Sequence, residues 1–137
     1  MVIVDDHLAL LAIAGKRLDL GAPGPVATTA GLQFRLARAV ADSGRSGSLS
    51  RDLADPSAAL RRVLRPPAHR LVVLDPRVSM AEAVEVAVRH RANFLLAELA
   101  GTAVHHGAAV RVTPANIGKA RADVFRHEDV DLQAIEL

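Results

Sequence analysis

Short apolar runs alternate with longer segments of helical period along this chain. The short runs are rich in Val, Ile and Leu, which predicts strands buried in a sheet. The longer segments repeat apolar residues three and four positions apart, as amphipathic helices do. We expect strands at residues 2–4, 26–27, 70–74, 109–113 and 130–135. We expect helices at about residues 7–18, 30–40, 56–64, 80–88, 92–106 and 117–124. This alternation predicts an α/β fold of three layers, in which helices flank a mostly parallel central sheet.

The same pattern predicts how several helices begin and which way they face. Thr28 or Thr29 is placed to cap the second helix. Ser79 and Glu82 have the spacing of a capping box at the start of the fourth helix. The apolar face of that helix is formed by Met80, Val84, Ala87 and Val88. The helix at 92–106 is apolar around most of its circumference, so we expect it at the centre of the domain.

Length and composition favour one domain with an aliphatic core. The chain has 137 residues, half of them apolar, which suits a single domain over residues 1–137. The Ser- and Gly-rich segment 42–51 is too short to separate two domains, and it predicts a surface loop. The aromatic residues are three Phe, without Trp or Tyr. Their scarcity argues against recognition of nucleic acid by base stacking.

The charged and polar residues exclude other classes of protein. A net charge of +2 is too small to predict strong affinity for nucleic acid by itself. The absence of cysteine excludes disulfides and thiolate zinc sites. No apolar stretch approaches the roughly 20 residues of a membrane span, and no basic segment precedes the first strand. We therefore expect a cytoplasmic protein that does not associate with membranes.

Three segments together resemble a known family. The opening MVIVDDHLALLA is similar to the first strand and helix of the PIN domains, where an Asp follows the strand. The segment ELAGTAVHHGAAVRVTPAN resembles their later helix, glycine and strand, and VDLQAIEL resembles their final strand. The similarity rests on order, spacing and length over nearly the whole chain. It implies the three-layer PIN-like fold.

The resemblance also implies a chemistry. PIN domains are metal-dependent ribonucleases, and many are the toxins of bacterial toxin–antitoxin pairs. Their chemistry needs three or four carboxylates around Mg²⁺ or Mn²⁺, which prefer oxygen ligands, activate water and stabilise charge on the phosphate. Asp5 stands in the place of the first carboxylate, where its alternative role is to cap the first helix. Asp6 either assists in binding the metal or caps the same helix.

The second and third acidic positions of the family carry other residues in this chain. The second falls on Arg35, or on Gln33 if the register shifts by two residues. An arginine there opposes a metal ion and favours a phosphate. The third falls on Leu96, with Asn93 about one turn earlier and Glu98 two residues later on a different face. Most of the acidic site is therefore replaced.

The last acidic position falls on Ala115 or Asn116, and an asparagine offers an oxygen without a charge. The implied catalytic residues are Asp5, Glu98 and Asn116, the implied metal ligands are Asp5 and Asp6, and the implied contacts to RNA phosphates are Arg35 and Arg38. The alternatives from the residues alone are an ordinary helix-surface acid for Glu98 and a turn residue for Asn116.

Two functions are consistent with these residues. The first is a divergent Mg²⁺- or Mn²⁺-dependent endoribonuclease that acts on RNA and is restrained by a small antitoxin-like protein. The second is a non-catalytic PIN-like module that binds a protein partner, a second copy of itself or nucleic acid. Similarity to the family favours the first function, and the missing acids favour the second. The apolar helices between residues 80 and 106 favour a homodimer in either case.

Overall fold

The computed structural model describes residues 1–43 and 55–137, and these confirm the predicted α/β class. Their strands are β1 (Val2–Val4), β2 (Val26–Thr29), β3 (Val72–Leu74), β4 (Ala109–Val112) and β5 (Leu132–Ala134). Their α-helices are α1 (Asp6–Ile13), α2 (Ala30–Ser43), α3 (Pro56–Leu64), α4 (Met80–His90), α5 (Phe94–His106) and α6 (Lys119–His127). A short 3-10 turn at Pro114–Asn116 follows β4. None of the described helices is both long enough and apolar enough to cross a membrane.

The described strands form one parallel sheet in the order β3-β2-β1-β4-β5. In the central strand, Ile3 lies opposite Ala27 of β2 on one side and opposite Val110 of β4 on the other. The chain builds outward from β1 through β2 to β3, and then returns to the other side of β1 to form β4. A crevice opens at the carboxyl ends of strands where the order reverses in this way. Here that crevice lies beyond β1 and β4.

Helices cover both faces of the sheet, because alternate residues of β1 point in opposite directions. Ile3 packs in a core with α4, α5 and α6, where Phe125 is completely buried. Val2 and Val4 pack in a second core with α1, α2 and α3, which includes Val40. The three-layer arrangement predicted from the sequence is therefore confirmed. Both cores are mainly aliphatic, as the composition predicts.

Two predicted boundaries need correction. Helix α1 ends at Ile13 rather than near residue 18, because Gly15 takes a left-handed conformation with φ of 79° and turns the chain away. Helix α2 continues to Ser43, so the first residues of the predicted loop at 42–51 are helical. The rest of that predicted loop, from residue 44 onward, lies outside the described residues.

The orientation of α4 also differs from the one that the spacing of its apolar residues predicts. Ser79 makes no capping bond to α4, because its hydroxyl is bonded to that of Thr102 on α5 at 3.0 Å. The apolar face predicted for α4 turns largely outward, since Val84 and Val88 are exposed while Val86 is buried. The close approach of α5 explains the difference. A Cβ at Gly101 would lie only 2.4 Å from the backbone nitrogen of Ala83, so the helices meet through small residues. The larger apolar side chains of α4 then lie on its other side.

The largest fully buried side chain is a cation, Arg111 of β4. Its Nε donates to the carbonyl oxygen of Leu20 at 2.8 Å. Its terminal nitrogens donate to the carbonyl oxygens of Val110 and Asp131 and to the Asp131 carboxylate, the last at 2.8 Å. This bond from Arg111 lowers the pKa of Asp131. Arg111 thus ties the segment after α1 and the start of β5 to the sheet, and the strand pattern at 109–113 did not predict this role.

Candidate functional site

Asp5 lies at the carboxyl end of β1, in the crevice where the strand order reverses. Only 1% of its surface is exposed. Its Oδ1 accepts a hydrogen bond from the backbone N–H of Leu8 at 2.9 Å, which makes Asp5 the N-cap of α1. The capping alternative for Asp5 is confirmed by this bond. A buried carboxylate in this position needs further donors for its second oxygen.

Those donors come from the chain after β4, the strand paired with β1. Thr113 donates both its backbone N–H at 2.7 Å and its hydroxyl at 2.9 Å to Oδ2 of Asp5. Asn116 donates its side-chain amide to the same oxygen at 2.8 Å. The structure thus brings Asp5 and Asn116 together, as the sequence predicts for two residues of one site. Because Asn116 contributes N–H groups, it stabilises the carboxylate rather than adding an oxygen beside it.

Asp6 points to a different partner. Its two carboxylate oxygens accept hydrogen bonds from Arg35 of α2, with distances of 2.6 Å to Nε and 2.8 Å to the terminal nitrogen NH2. This bidentate pair fixes both side chains in a planar geometry. The bond to Asp6 is the main cause of the raised pKa of Arg35, and the charge of Asp5 adds to it. The predicted metal ligand Asp6 is therefore already neutralised by Arg35.

A second arginine lies nearby and was not predicted. Arg121 of α6 donates a hydrogen bond to the carbonyl oxygen of Asn116. Burial lowers the pKa of Arg121, and so does the positive charge of Arg35, while Asp5 and Asp6 oppose the change. These effects show that both arginines and both aspartates lie within electrostatic range of one another. The local charges are balanced, with two cations against two anions.

An open pocket of about 340 Å³ borders this group. Its polar lining residues are Asp6, His7, Arg35, Thr113 and Asn116. Its apolar lining residues are Leu10, Leu36, Ala39 and Ala115. The pocket thus presents an ion pair, an imidazole, a hydroxyl and an amide beside aliphatic side chains. Asp5 lies behind the wall and is almost inaccessible.

Glu98, the other predicted acid, occupies a separate position. It is 3% exposed, and its Oε1 accepts a hydrogen bond of 2.9 Å from the backbone N–H of Gly31 at the start of α2. Its Oε2 is buried and has no hydrogen-bond partner among the described residues. A Cβ at position 31 would lie 2.6 Å from Oε1, so the contact depends on glycine there. Glu98 is therefore buried rather than on the helix surface, and the described contacts do not join it to Asp5.

The other residues named from the sequence have local roles. Asn93 caps α5 by accepting from the backbone N–H of Leu96 at 3.0 Å. Gln33 donates to the carbonyl oxygen of Val63 at 3.0 Å and thereby links α2 to α3. Thr29 caps α2 by accepting from the backbone N–H of Leu32. Arg38, the second predicted phosphate contact, is exposed on α2.

Two members of the site were missed by sequence reasoning. Thr113 follows a strand directly, and the predicted pairing of parallel strands would have placed it beside the residue that follows β1. That signal was present in the pattern, although it could not show that Thr113 donates twice to Asp5. Arg121 had no comparable signal, because its position depends on how α6 packs after the 3-10 turn.

The side chains as arranged do not fit the divalent ion that the resemblance implies. Asp5 receives four hydrogen bonds from the protein, three on Oδ2 and one on Oδ1, and only 1% of its surface is exposed. Asp6 is held by Arg35, and Glu98 lies outside this group of contacts. Within residues 1–43 and 55–137, no three His, Cys, Asp or Glu side chains are grouped so that they could hold a metal. Mg²⁺ requires several oxygen ligands in compensation for its lost water.

Neither the protein-family models nor the curated proteins with which the chain was compared include a match to it.

Proposed function

We propose that the chain is a non-catalytic PIN-like module that acts by binding. The observation that carries this proposal is the internal hydrogen bonding of the Asp5 carboxylate. Three donors bond to its Oδ2 and one to its Oδ1, the carboxylate is almost inaccessible, and the neighbouring Asp6 is paired with Arg35. Metal-dependent hydrolysis of RNA needs a metal-bound water and therefore carboxylates that are free to bind the metal. In this chain the hydrogen bonds of Asp5 instead hold β1, α1 and the segment after β4 together.

One feature favours the competing function, a divergent ribonuclease toxin that uses Mg²⁺ or Mn²⁺. The Oε2 atom of Glu98 is buried without a partner among the described residues, which is costly for a carboxylate and common at functional sites. In that function Asp5, Glu98 and Asn116 would hold the metal and the reacting water. Arg35 and Arg38 would hold RNA phosphates, and a small antitoxin-like protein would block the site.

An RNA cleavage assay separates the two functions. Purified protein is incubated with single-stranded and structured RNA in Mg²⁺ or Mn²⁺, beside the variants Asp5→Asn and Asp6→Asn. The binding proposal predicts no cleavage by the wild-type protein above the level of either variant. Circular dichroism checks that each variant is folded at the assay temperature. Metal-dependent cleavage by the wild-type protein that a folded Asp5→Asn variant lacks would refute the proposal.

The surface that suits binding to a protein lies on α4. Met80, Val84 and Val88 recur at intervals of four residues along its outer face, with exposed fractions of 52%, 55% and 77%. Residues spaced in this way form one continuous stripe on a helix. We call these three residues the α4 stripe. An exposed apolar stripe of this kind is typical of an interaction surface.

A second copy of the chain is the partner that we propose for the α4 stripe. Glu85 and Arg89 flank the stripe, so its edge carries both signs of charge and selects neither an acidic nor a basic partner. In a two-fold arrangement, antiparallel α4 helices bring Met80 of one copy toward Val88 of the other. The same arrangement places complementary helix dipoles side by side. This is the homodimer that the apolar segment predicts.

Light scattering coupled to size exclusion tests the self-association. The wild-type protein is expected to be a dimer, and Val88→Asp is expected to be a monomer because the dimer would bury a charge in the stripe. Phe34→Asp serves as the matched control, since Phe34 is an exposed apolar residue on α2. That variant is expected to remain dimeric. A monomeric wild-type protein, or a Val88→Asp variant that still dimerises, would contradict the assignment of this surface.

A further inference from the structure

We propose that the guanidinium group of Arg35 takes the place of the divalent cation that the fold would otherwise hold between its acidic side chains. This inference deepens the proposed function, on which it rests, by giving a reason why these side chains do not suit a metal ion. It begins from the position of Arg35 on α2, where the similarity to PIN domains places the second acid. A side chain in this position reaches the carboxyl end of β1.

The contacts of Arg35 resemble those of a bound cation. Both oxygens of Asp6 face the guanidinium group, at 2.6 Å and 2.8 Å from its nitrogens. The Asp6 side chain is 20% exposed and that of Arg35 is 34% exposed, so water only partly screens the pair. A divalent ion beside Asp6 would have to displace this arginine. It would also meet the partly screened repulsion of a positive charge.

The charge balance of the whole group supports the same inference. Arg35 pairs with Asp6, and Arg121 bonds to Asn116, which itself donates to Asp5, so two positive charges lie close to two negative charges. An added divalent ion would leave the group with a net charge of about +2 in a partly buried position, which is unfavourable. The group is neutral because the protein supplies the positive charge that a metal ion would supply. Replacing Arg35 by an acid should therefore give the group a net negative charge, which attracts a metal ion.

The experiment measures Mn²⁺ binding to the Arg35→Glu variant by electron paramagnetic resonance and isothermal titration calorimetry. The variant places a second carboxylate beside that of Asp6, close to the buried charge of Asp5. We expect it to bind Mn²⁺ at least about tenfold more tightly than the wild-type protein, because a nearby positive charge that repels the ion is exchanged for a negative charge that attracts it. Mg²⁺ should compete for the same site.

Arg38→Glu is the matched control. It makes the same change in net charge on the same helix, but at an exposed position outside the pocket lining. It is expected to bind Mn²⁺ no more tightly than the wild-type protein. A gain shared by both variants would show a general effect of charge and would overturn the inference. Equal binding by wild-type protein and Arg35→Glu would overturn it as well.

A neutral variant keeps the inference testable if Arg35→Glu does not fold. Arg35→Gln removes the cation without adding an acid, and it should bind Mn²⁺ more tightly than Arg38→Gln does. If a folded Arg35→Gln shows no such gain, the inference fails. The outcome is independent of the RNA assay, because cleavage by the wild-type protein tests the proposed function and the variants test the role of Arg35.

Discussion

Asp5 and Glu98 are both buried acids predicted for one site, and their surroundings differ sharply. Asp5 accepts four hydrogen bonds, from Leu8, from Thr113 twice and from Asn116. Glu98 accepts one, from Gly31, and its second oxygen has no partner among the described residues. The two carboxylates have almost the same exposure. Burial alone therefore does not show which carboxylate is held by hydrogen bonds within the protein and which has an oxygen that could still bind a ligand.

The difference follows from where each acid lies in the chain. Asp5 stands between a strand and a helix, where the free N–H groups of the first turn of α1 and of the segment after β4 converge. Glu98 lies within α5, whose own backbone groups are paired, so donors must come from another element. Among the described residues the start of α2 provides one, because Gly31 allows the backbone to approach. A carboxylate at a strand end is thus easier to satisfy than one inside a central helix.

The largest expected effect is that of Asp5→Asn. The amide keeps the shape of the carboxylate but removes the charge. In either orientation its nitrogen meets a backbone N–H, that of Leu8 or that of Thr113, which cannot accept a hydrogen bond. We expect the free energy of unfolding to fall by about 2–3 kcal/mol, the usual cost of disturbing a buried and charged hydrogen-bond network. Urea denaturation followed by circular dichroism measures the change.

Asp6→Asn is the control for this measurement, because Asp6 is more exposed and its carboxylate is bonded to Arg35 and to the backbone N–H of the adjacent His7. Its expected cost is at most about 1 kcal/mol, as for a surface ion pair. If the free energy of unfolding fell equally in the two variants, the four hydrogen bonds of Asp5 would not give it a special contribution to stability. The contrast drawn with Glu98 would then be unsupported.

Part of this contrast could be predicted from the sequence. The period-two and helical patterns located the strands and helices, and the strand that ends at Asp5 follows from its β-branched residues. The proximity of Asn116 followed from the family resemblance. The partners of Glu98 could not be predicted in the same way, since a helical pattern gives the face of a helix but not the element that it meets.

Tertiary packing decided the features that the pattern missed. Gly101 lets α4 and α5 approach closely, so the face of α4 with the larger apolar residues turned outward. Arg111 sits in a strand predicted from its neighbours, and its buried charge is satisfied by carbonyl groups distant in sequence. The pairing of Asp6 with Arg35 joins residues 29 positions apart. Such contacts depend on the assembled layers, which no local pattern contains.

The smallest expected effect is that of Glu98→Gln. The amide oxygen can keep the bond from Gly31, and the variant removes a buried charge that has only this one donor. It places an amide nitrogen where Oε2 has no partner, which offsets part of the gain. We expect the free energy of unfolding to change by no more than about 1 kcal/mol in either direction. The same urea measurement as for Asp5→Asn gives a direct comparison, with Glu85→Gln on the exposed face of α4 as the control. If Glu98→Gln lowered the free energy of unfolding as much as Asp5→Asn, Oε2 would have to be bound by a partner such as an ordered water or a cation. The two acids would then be equivalent, and Glu98 would become the stronger candidate for a ligand-binding group.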